Sequence, residues 1–108
     1  EGVAVDYLSS IGHRILQKNY KRRTGEVDII STEGDVIVCT EVKTWFGTPA
    51  EDLAHSISLL KQQRIIRTAQ VFLYENPQLR QCSVRFDVIH IGSHTGVCHY
   101  PDAFQGAW

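Results

Sequence analysis

No stretch of this sequence stays apolar for the roughly 20 residues that a bilayer-spanning helix needs, so a membrane protein is excluded and the membrane drops out of the expected partners. The amino end shows no basic stretch followed by an apolar core and a small-residue cleavage site. Cysteines are few, three in number and widely spaced, which excludes a disulfide framework. Reduced thiols fit the cytoplasm, the expected location. No glycine-rich phosphate loop is present, so a nucleotide-hydrolysing fold has no support. Ser9, Ser10 and the isolated cysteines have no partner motif, which leaves nucleophilic catalysis without a candidate. Internal repeats and low-complexity linkers are lacking too. Nor is there a surplus of positive charge, since 11 Lys and Arg against 12 Asp and Glu give a net charge of -1. A chain that grips nucleic acid through its phosphates usually carries a basic excess, so any such contact must come from local clusters.

What remains is a chain of 108 residues, 43% apolar and 21% charged, the size and composition of one globular domain. Val3, Ala4, Tyr7, Leu8 and Ile11 recur at three- and four-residue spacing, predicting an amphipathic helix over 1–11 that Gly12 stops. His13 to Tyr20 reads as a strand without clean alternation, running into a polar turn over Lys21 to Thr24. Glu26 to Ser31 and Asp35 to Lys43 are rich in Val and Ile and flank Glu33-Gly34, which predicts a β-hairpin. A loop with Trp45 and Phe46 precedes a long helix from about Ala50 to Tyr74, ended by Pro77. Val84 to Ile91 and Val97 to Tyr100 read as strands, joined by a turn over Ser93 to Gly96 and followed by an irregular tail. The order α-β-β-β-α-β-β gives a mixed α/β domain, because the long helix is a crossover that can set a later strand parallel.

The chemistry gathers on the hairpin. With Glu33-Gly34 as a two-residue loop, Asp28 faces Cys39 and Glu26 faces Glu41. Glu26, Asp28, Cys39, Glu41 and Lys43 then share one side, with Asp28 a diagonal neighbour of Glu41. Val27, Ile29, Val36, Val38, Thr40 and Val42 form the other, almost wholly apolar side. Three carboxylates so close repel one another unless a positive charge sits between them. The plain alternative is the wet side of a half-exposed sheet, the default for an arbitrary hairpin. Against it, Ile30, Ile37 and Cys39 lie on the same side, and the acids cluster at one end only. Two or three carboxylates are the oxygen-ligand set of Mg²⁺ or Mn²⁺. A neighbouring lysine can orient or deprotonate water and offset charge on a phosphate.

Two basic clusters flank this motif, Lys18, Lys21, Arg22 and Arg23 in one and Lys61, Arg64 and Arg67, at helical spacing, in the other. Either alone is more often a solvated face; together they form a phosphate-facing rim. Gln62 shares a helical face with Ile65, Ile66, Ala69 and Leu73, which makes it either a satisfied core amide or a site residue. Trp45 and Phe46 either cap the core or offer a base a stacking surface. His90, His94, Cys98 and His99 lie close in sequence but match no zinc-ligand spacing, so ordinary strand and turn residues are expected there. Asp87 is expected to be a structural carboxylate.

Asp28, a hairpin turn, and Glu41-Val42-Lys43 at the end of an apolar strand resemble the Asp…Glu-x-Lys signature of the PD-(D/E)XK nuclease superfamily, which includes restriction enzymes and archaeal Holliday junction resolvases. Nearly the whole chain is similar to the YraN-like family of uncharacterised bacterial proteins. The similarity runs through Glu1, Ala4, Tyr7-Leu8, Gly12, the Gly25-Glu26-Val27-Asp28 run, Glu41-Val42-Lys43-Thr44, Gly47-Thr48-Pro49-Ala50, Lys61-Gln62, Arg85-Phe86-Asp87-Val88 and Asp102-Ala103-Phe104. That resemblance implies a restriction-endonuclease-like core, a mixed central sheet flanked by helices. It implies Asp28 and Glu41 as ligands of Mg²⁺ or Mn²⁺, Glu1 completing the site, Lys43 as the catalytic lysine and Gln62 as an accessory residue. The implied function is metal-dependent hydrolysis of phosphodiester bonds in nucleic acid, DNA ahead of RNA, with Lys21, Arg22, Arg23, Lys61, Arg64 and Arg67 on the phosphates and a homodimer as an open assembly. The alternative is a non-catalytic nucleic-acid-binding module on the same fold; a purely structural interaction protein would show no metal affinity.

Overall fold

The computed structural model describes residues 2–45, 57–92 and 96–106. Helix α1 (Gly2–Ser10) is followed by β1 (Arg14–Arg22), β2 (Gly25–Glu33) and β3 (Val36–Trp45). Then come α2 (Leu59–Glu75), a short 3-10 turn (Pro77–Leu79), β4 (Ser83–Gly92) and β5 (Gly96–Phe104). The strands form one five-stranded sheet in chain order, antiparallel except between β3 and β4, which run parallel. This is the mixed α/β arrangement expected from the sequence, with α2 as the crossover between the parallel pair.

Each face of the sheet has its own apolar cluster. On one side α1 buries Ala4 and Leu8 against Ile29 and Ile89. On the other, α2 buries Ile65, Ala69 and Phe72 against Ile30, Ile37, Cys39, Phe86 and Val88. Covered on both faces, β3 and β4 are rich in Val and Ile, as buried parallel strands are, and the polar groups they carry, Glu41 and Asp87 among them, are buried with them.

Two boundaries differ from the sequence expectation by several residues. Helix α2 starts at Leu59, not Ala50, because Ser58 sits in extended conformation as its N-cap and its Oγ accepts from Lys61 N at 3.2 Å. The earlier part of the expected span, up to residue 56, lies outside the described residues. Strand β5 runs on to Phe104 instead of ending at Tyr100. Asp102, at φ 53°, takes up a register shift opposite Phe86 and Val88, and Phe104 then stacks on Phe86 with ring centres 5.1 Å apart. Finally, β1 lacks alternation for a physical reason. It is an edge strand with a register shift between Ile15 and Gln17 and with Asn19 at φ 52°.

The hairpin register also differs. Glu33 pairs with Val36, Ile30 with Cys39 and Ile29 with Thr40. The loop is Gly34-Asp35, with positive φ, 59°, at Gly34 and not at Asp35, the glycine-first pattern of a type II′ turn. Cys39 therefore faces Ile30 rather than Asp28, a displacement of two residues, and the same register sets Asp28 opposite Glu41. A two-residue displacement keeps every side chain on its face, so the acids and Lys43 stay together as expected. Val27 departs from the expected pattern: past the end of the β2–β3 ladder it pairs with Tyr20 of β1 and packs in the α2-side cluster, not with Ile29.

Candidate functional site

Glu41 and Lys43 lie on β3, the central strand, where β2 begins to part from it. The β2–β3 ladder ends at Ile29 and Thr40. Beyond that point a side chain replaces the backbone pairing, for Asp28 Oδ2 accepts from Val42 N at 2.9 Å. The bond holds the half-buried Asp28 carboxylate beside Glu41 without a ladder partner.

Glu41 is 7% exposed, and its Oε1 lies 2.9 Å from Nζ of Lys61, whose side chain is 44% exposed. Burial pushes the Glu41 carboxyl above its ordinary value. The Lys61 hydrogen bond pulls it down, the neighbouring Asp28 charge pushes it up again and Lys43 pulls it down, with the balance remaining upward. Lys61 is raised in turn, first by its hydrogen bond to Glu41 and against the opposing effect of its own burial. A desolvated carboxylate beside a second one is an environment that favours a cation.

A cavity of about 430 Å³ opens over the pair. Gly25, Glu26, Asp28 and Glu41 form its sheet wall, and Ser58, Leu60, Lys61, Arg64 and Ile65 of the α2 end form the other. One wall is acidic and the facing wall carries two cations. Gly25, at φ 149°, marks a close backbone approach to α2: a Cβ there would lie 3.2 Å from Arg64 Cβ and 3.3 Å from Thr68 Oγ1.

The remaining candidates are distributed unevenly. Glu26 is exposed at the cavity edge. Lys43, half-buried, pairs with His90 across the parallel ladder, and its charge reaches Glu41. Gln62 donates from Nε2 to Ile57 O at 3.0 Å, so its amide ties down the start of α2 while the neighbouring Lys61 meets the acids. Of the basic residues on helix α2, Arg64 lines the cavity and the exposed Arg67 does not. Lys21 and Arg23 are exposed at the end of β1 and in the turn after it. Arg22 is occupied: its Nε and Nη2 donate to Glu75 at 3.1 and 2.8 Å, and its guanidinium lies 4.2 Å over the Tyr20 ring. Glu1, Phe46 and His94 lie outside the described residues.

The Lys61–Glu41 pair is the feature that sequence reading missed. The available signal was a lysine in the first turn of α2, where a cation opposes the helix dipole. Asp87, by contrast, is fully engaged inside the fold. Arg85 donates to its two oxygens at 2.8 and 2.9 Å, His99 Nε2 lies 2.7 Å away and the Asp102 N–H donates at 3.0 Å. Burial alone pushes the Asp87 carboxyl up, but the bonds from His99, Arg85 and the Asp102 backbone outweigh it and bring it down to about 2. Burial pushes the Cys39 thiol up to about 12, an inert core position.

The donor set fits a hard divalent cation: two carboxylates, one desolvated and already paired with an ammonium that stands where positive charge is wanted. Among the described residues no group of three or more His, Cys, Asp and Glu is arranged to hold a metal. Asp28 and Glu41 would thus supply two ligands, with the other positions left to water and phosphate oxygens. Among the described residues no helix is long and apolar enough to cross a membrane.

The chain is similar in sequence to several bacterial proteins. A UPF0102 protein of Dictyoglomus turgidum is 42% identical over 95 residues, covering 84% of this chain and 76% of that protein. A UPF0102 protein of Treponema pallidum is 38% identical over 111 residues, covering 97% and 88%, and one of Persephonella marina is 38% identical over 109 residues, covering 97% and 89%. The profile of the same family matches residues 1–91, a span that includes Asp28, Glu41, Lys43 and Lys61. By the extent of that match and the identity of these relatives, the chain belongs to the uncharacterised protein family UPF0102.

Proposed function

We propose that the protein is a divalent-metal-dependent nuclease, in which Asp28 and Glu41 hold Mg²⁺ or Mn²⁺ and a phosphodiester of nucleic acid, DNA ahead of RNA, enters the cavity. One observation carries the reading: two opposed carboxylates on the sheet share a cavity with Lys61 and Arg64 on the facing helix. The resemblance of Asp28, Glu41 and Lys43 to the PD-(D/E)XK signature supports the same chemistry. When bound, such an ion supplies Lewis-acid polarisation of the phosphate and activation of water. The chain's own groups do the rest. Asp28, fixed by the Val42 N–H, and Glu41, buried in the central strand, hold the cation. Lys43, on the same face as both, orients the attacking water and offsets developing charge. Arg64 holds the substrate backbone against the helix wall.

The test is a panel of single-stranded, duplex, flap and four-way-junction DNA, together with RNA, incubated with Mg²⁺ or Mn²⁺. Lys43→Ala should keep metal and nucleic-acid binding but lose cleavage, and Glu41→Ala should lose metal binding and cleavage together. Cleavage surviving in both variants would point to a contaminating nuclease. Wild type that binds several substrates and cuts none would turn the reading into the non-catalytic binding module.

A further inference from the structure

We propose that Lys61 and the divalent ion are alternative partners of Glu41: Lys61 occupies the carboxylate until the ion displaces it, and then turns to a substrate phosphate in the cavity. The inference rests on Asp28 and Glu41 being the metal ligands. Lys61 is a positioning residue in this account, acting through Glu41 before substrate arrives.

Four features of the structure lead there. The Lys61 ammonium is 2.9 Å from Glu41 Oε1, and that carboxylate is only 7% exposed, so this is the counter-charge of a desolvated acid and not one of the weak pairs found between two solvated side chains. An ion seated between Asp28 and Glu41 would place two more positive charges within a few ångströms of that ammonium. At such separations the ion and the ammonium repel each other and compete for the same Glu41 oxygen. Helix stability gives no reason for a lysine there: position 61 is in the first turn of α2, directly behind the Ser58 cap, where the helix dipole disfavours a cation. Lastly, the Lys61 side chain is 44% exposed on a flexible four-carbon stem and borders the open cavity next to Arg64. Its head can leave Glu41 without disturbing the packed face of α2 at Ile65, Ala69 and Phe72. A phosphate beside Arg64 gives it an anionic partner of the same kind as the one it leaves.

The experiment measures Mn²⁺-induced thermal stabilisation of the full chain at one pH and low salt, in wild type, Lys61→Met and Glu41→Gln. Removing one charge-assisted competitor should let Lys61→Met reach half of its Mn²⁺ effect at about tenfold lower concentration than wild type. Glu41→Gln should show no effect. Equal or weaker Mn²⁺ response in Lys61→Met overturns the proposal and leaves the metal reading standing. Absence of any response in wild type and Lys61→Met removes the metal reading and the proposal with it. Should Lys61→Met fail to fold, the ¹⁵N signal of the Lys61 ammonium in wild type, followed through a Mg²⁺ titration, gives the answer independently. It should move to the position of a solvated ammonium and saturate with the ion, and a signal that stays put overturns the exchange.

Discussion

Replacing Asp87 by Asn separates the chemistry of the fold from that of the site. Asp87 is fully buried on β4 and takes hydrogen bonds from Arg85, His99 and the Asp102 N–H. Asn keeps the shape, loses the charge and turns an amide donor towards groups that are themselves donors. Removing one partner of a buried charge network costs about 3–5 kcal/mol. Arg85 is 24% exposed and keeps Glu33 at 3.1 Å, which places the expectation at the lower end, about 3 kcal/mol. Acid gives a second, independent magnitude. The folded carboxyl lies at about 2 against an ordinary 3.8, and at about 1 kcal/mol or somewhat more for each pH unit that difference is worth roughly 2–3 kcal/mol. Because the folded value is the lower one, this stability is complete above the ordinary value and drains away as pH falls from about 4 towards 2. Urea unfolding at pH 7 and down an acid series measures both quantities. The variant should be less stable at neutral pH and should show a shallower decline over that acid window, keeping only the part due to other carboxylates such as Glu75, which the Arg22 hydrogen bond holds below its ordinary value. A variant as stable as wild type at pH 7, or one with the same acid decline, refutes the reasoning. Its Mn²⁺-induced stabilisation should persist, since Asp87 is outside the proposed ligand set; loss of that response would move Asp87 into it.

Millimolar Mg²⁺ or Mn²⁺ should raise the melting temperature of wild type, by the equivalent of about 2.7 kcal/mol at a hundred times the dissociation constant. Asp28→Asn and Glu41→Gln should abolish the rise, and an equal rise in those variants removes the metal site. Nucleic-acid affinity should fall steeply with salt, and Arg64→Glu should weaken it more than Arg67→Glu, because Arg64 borders the cavity and Arg67 does not. Equal effects in a binding titration at two salt concentrations would show that the cavity is not the contact surface. Gly25→Ala should lower the unfolding free energy by about 1–3 kcal/mol, since the added methyl meets Arg64 and Thr68 at a φ of 149°; a melt unchanged from wild type contradicts the close approach.

The elements were legible because their patterns are strong: the spacing of Ala4 and Leu8 on α1, and the Val and Ile runs of β2 and β3. The sharing of one face by Asp28, Glu41 and Lys43 was legible too, since it depends only on the two-residue period of a strand. The register was not, because Glu33-Gly34 and Gly34-Asp35 are both plausible loops, and the choice lies in which central residue takes positive φ. The start of α2 was obscured by periodicity running back past Ser58, whose capping role outweighs it. Contacts made only by tertiary packing left the least trace. Helical spacing groups Lys61, Arg64 and Arg67 as one cationic face, yet docking of α2 on β2 turns the first two into the cavity and leaves the third outside. The pairing of Arg22 with Glu75, which takes one arginine out of the expected phosphate rim, likewise joins distant parts of the chain.

The connection of the strands also sets the order in which the site can come into being. β1, β2 and β3 follow one another through tight turns, so Asp28 and Glu41 can meet as soon as a local hairpin closes, an event of about 1–10 μs. Lys61 and Arg64 arrive only when α2 folds across the sheet, and the parallel β3–β4 ladder needs that same long crossover. Non-local closures of this kind are the slower part of folding. For an interval the nascent meander therefore presents two adjacent acids with their helix-borne cations still elsewhere on the chain. Docking of the crossover helix both completes the core and neutralises the centre of the sheet.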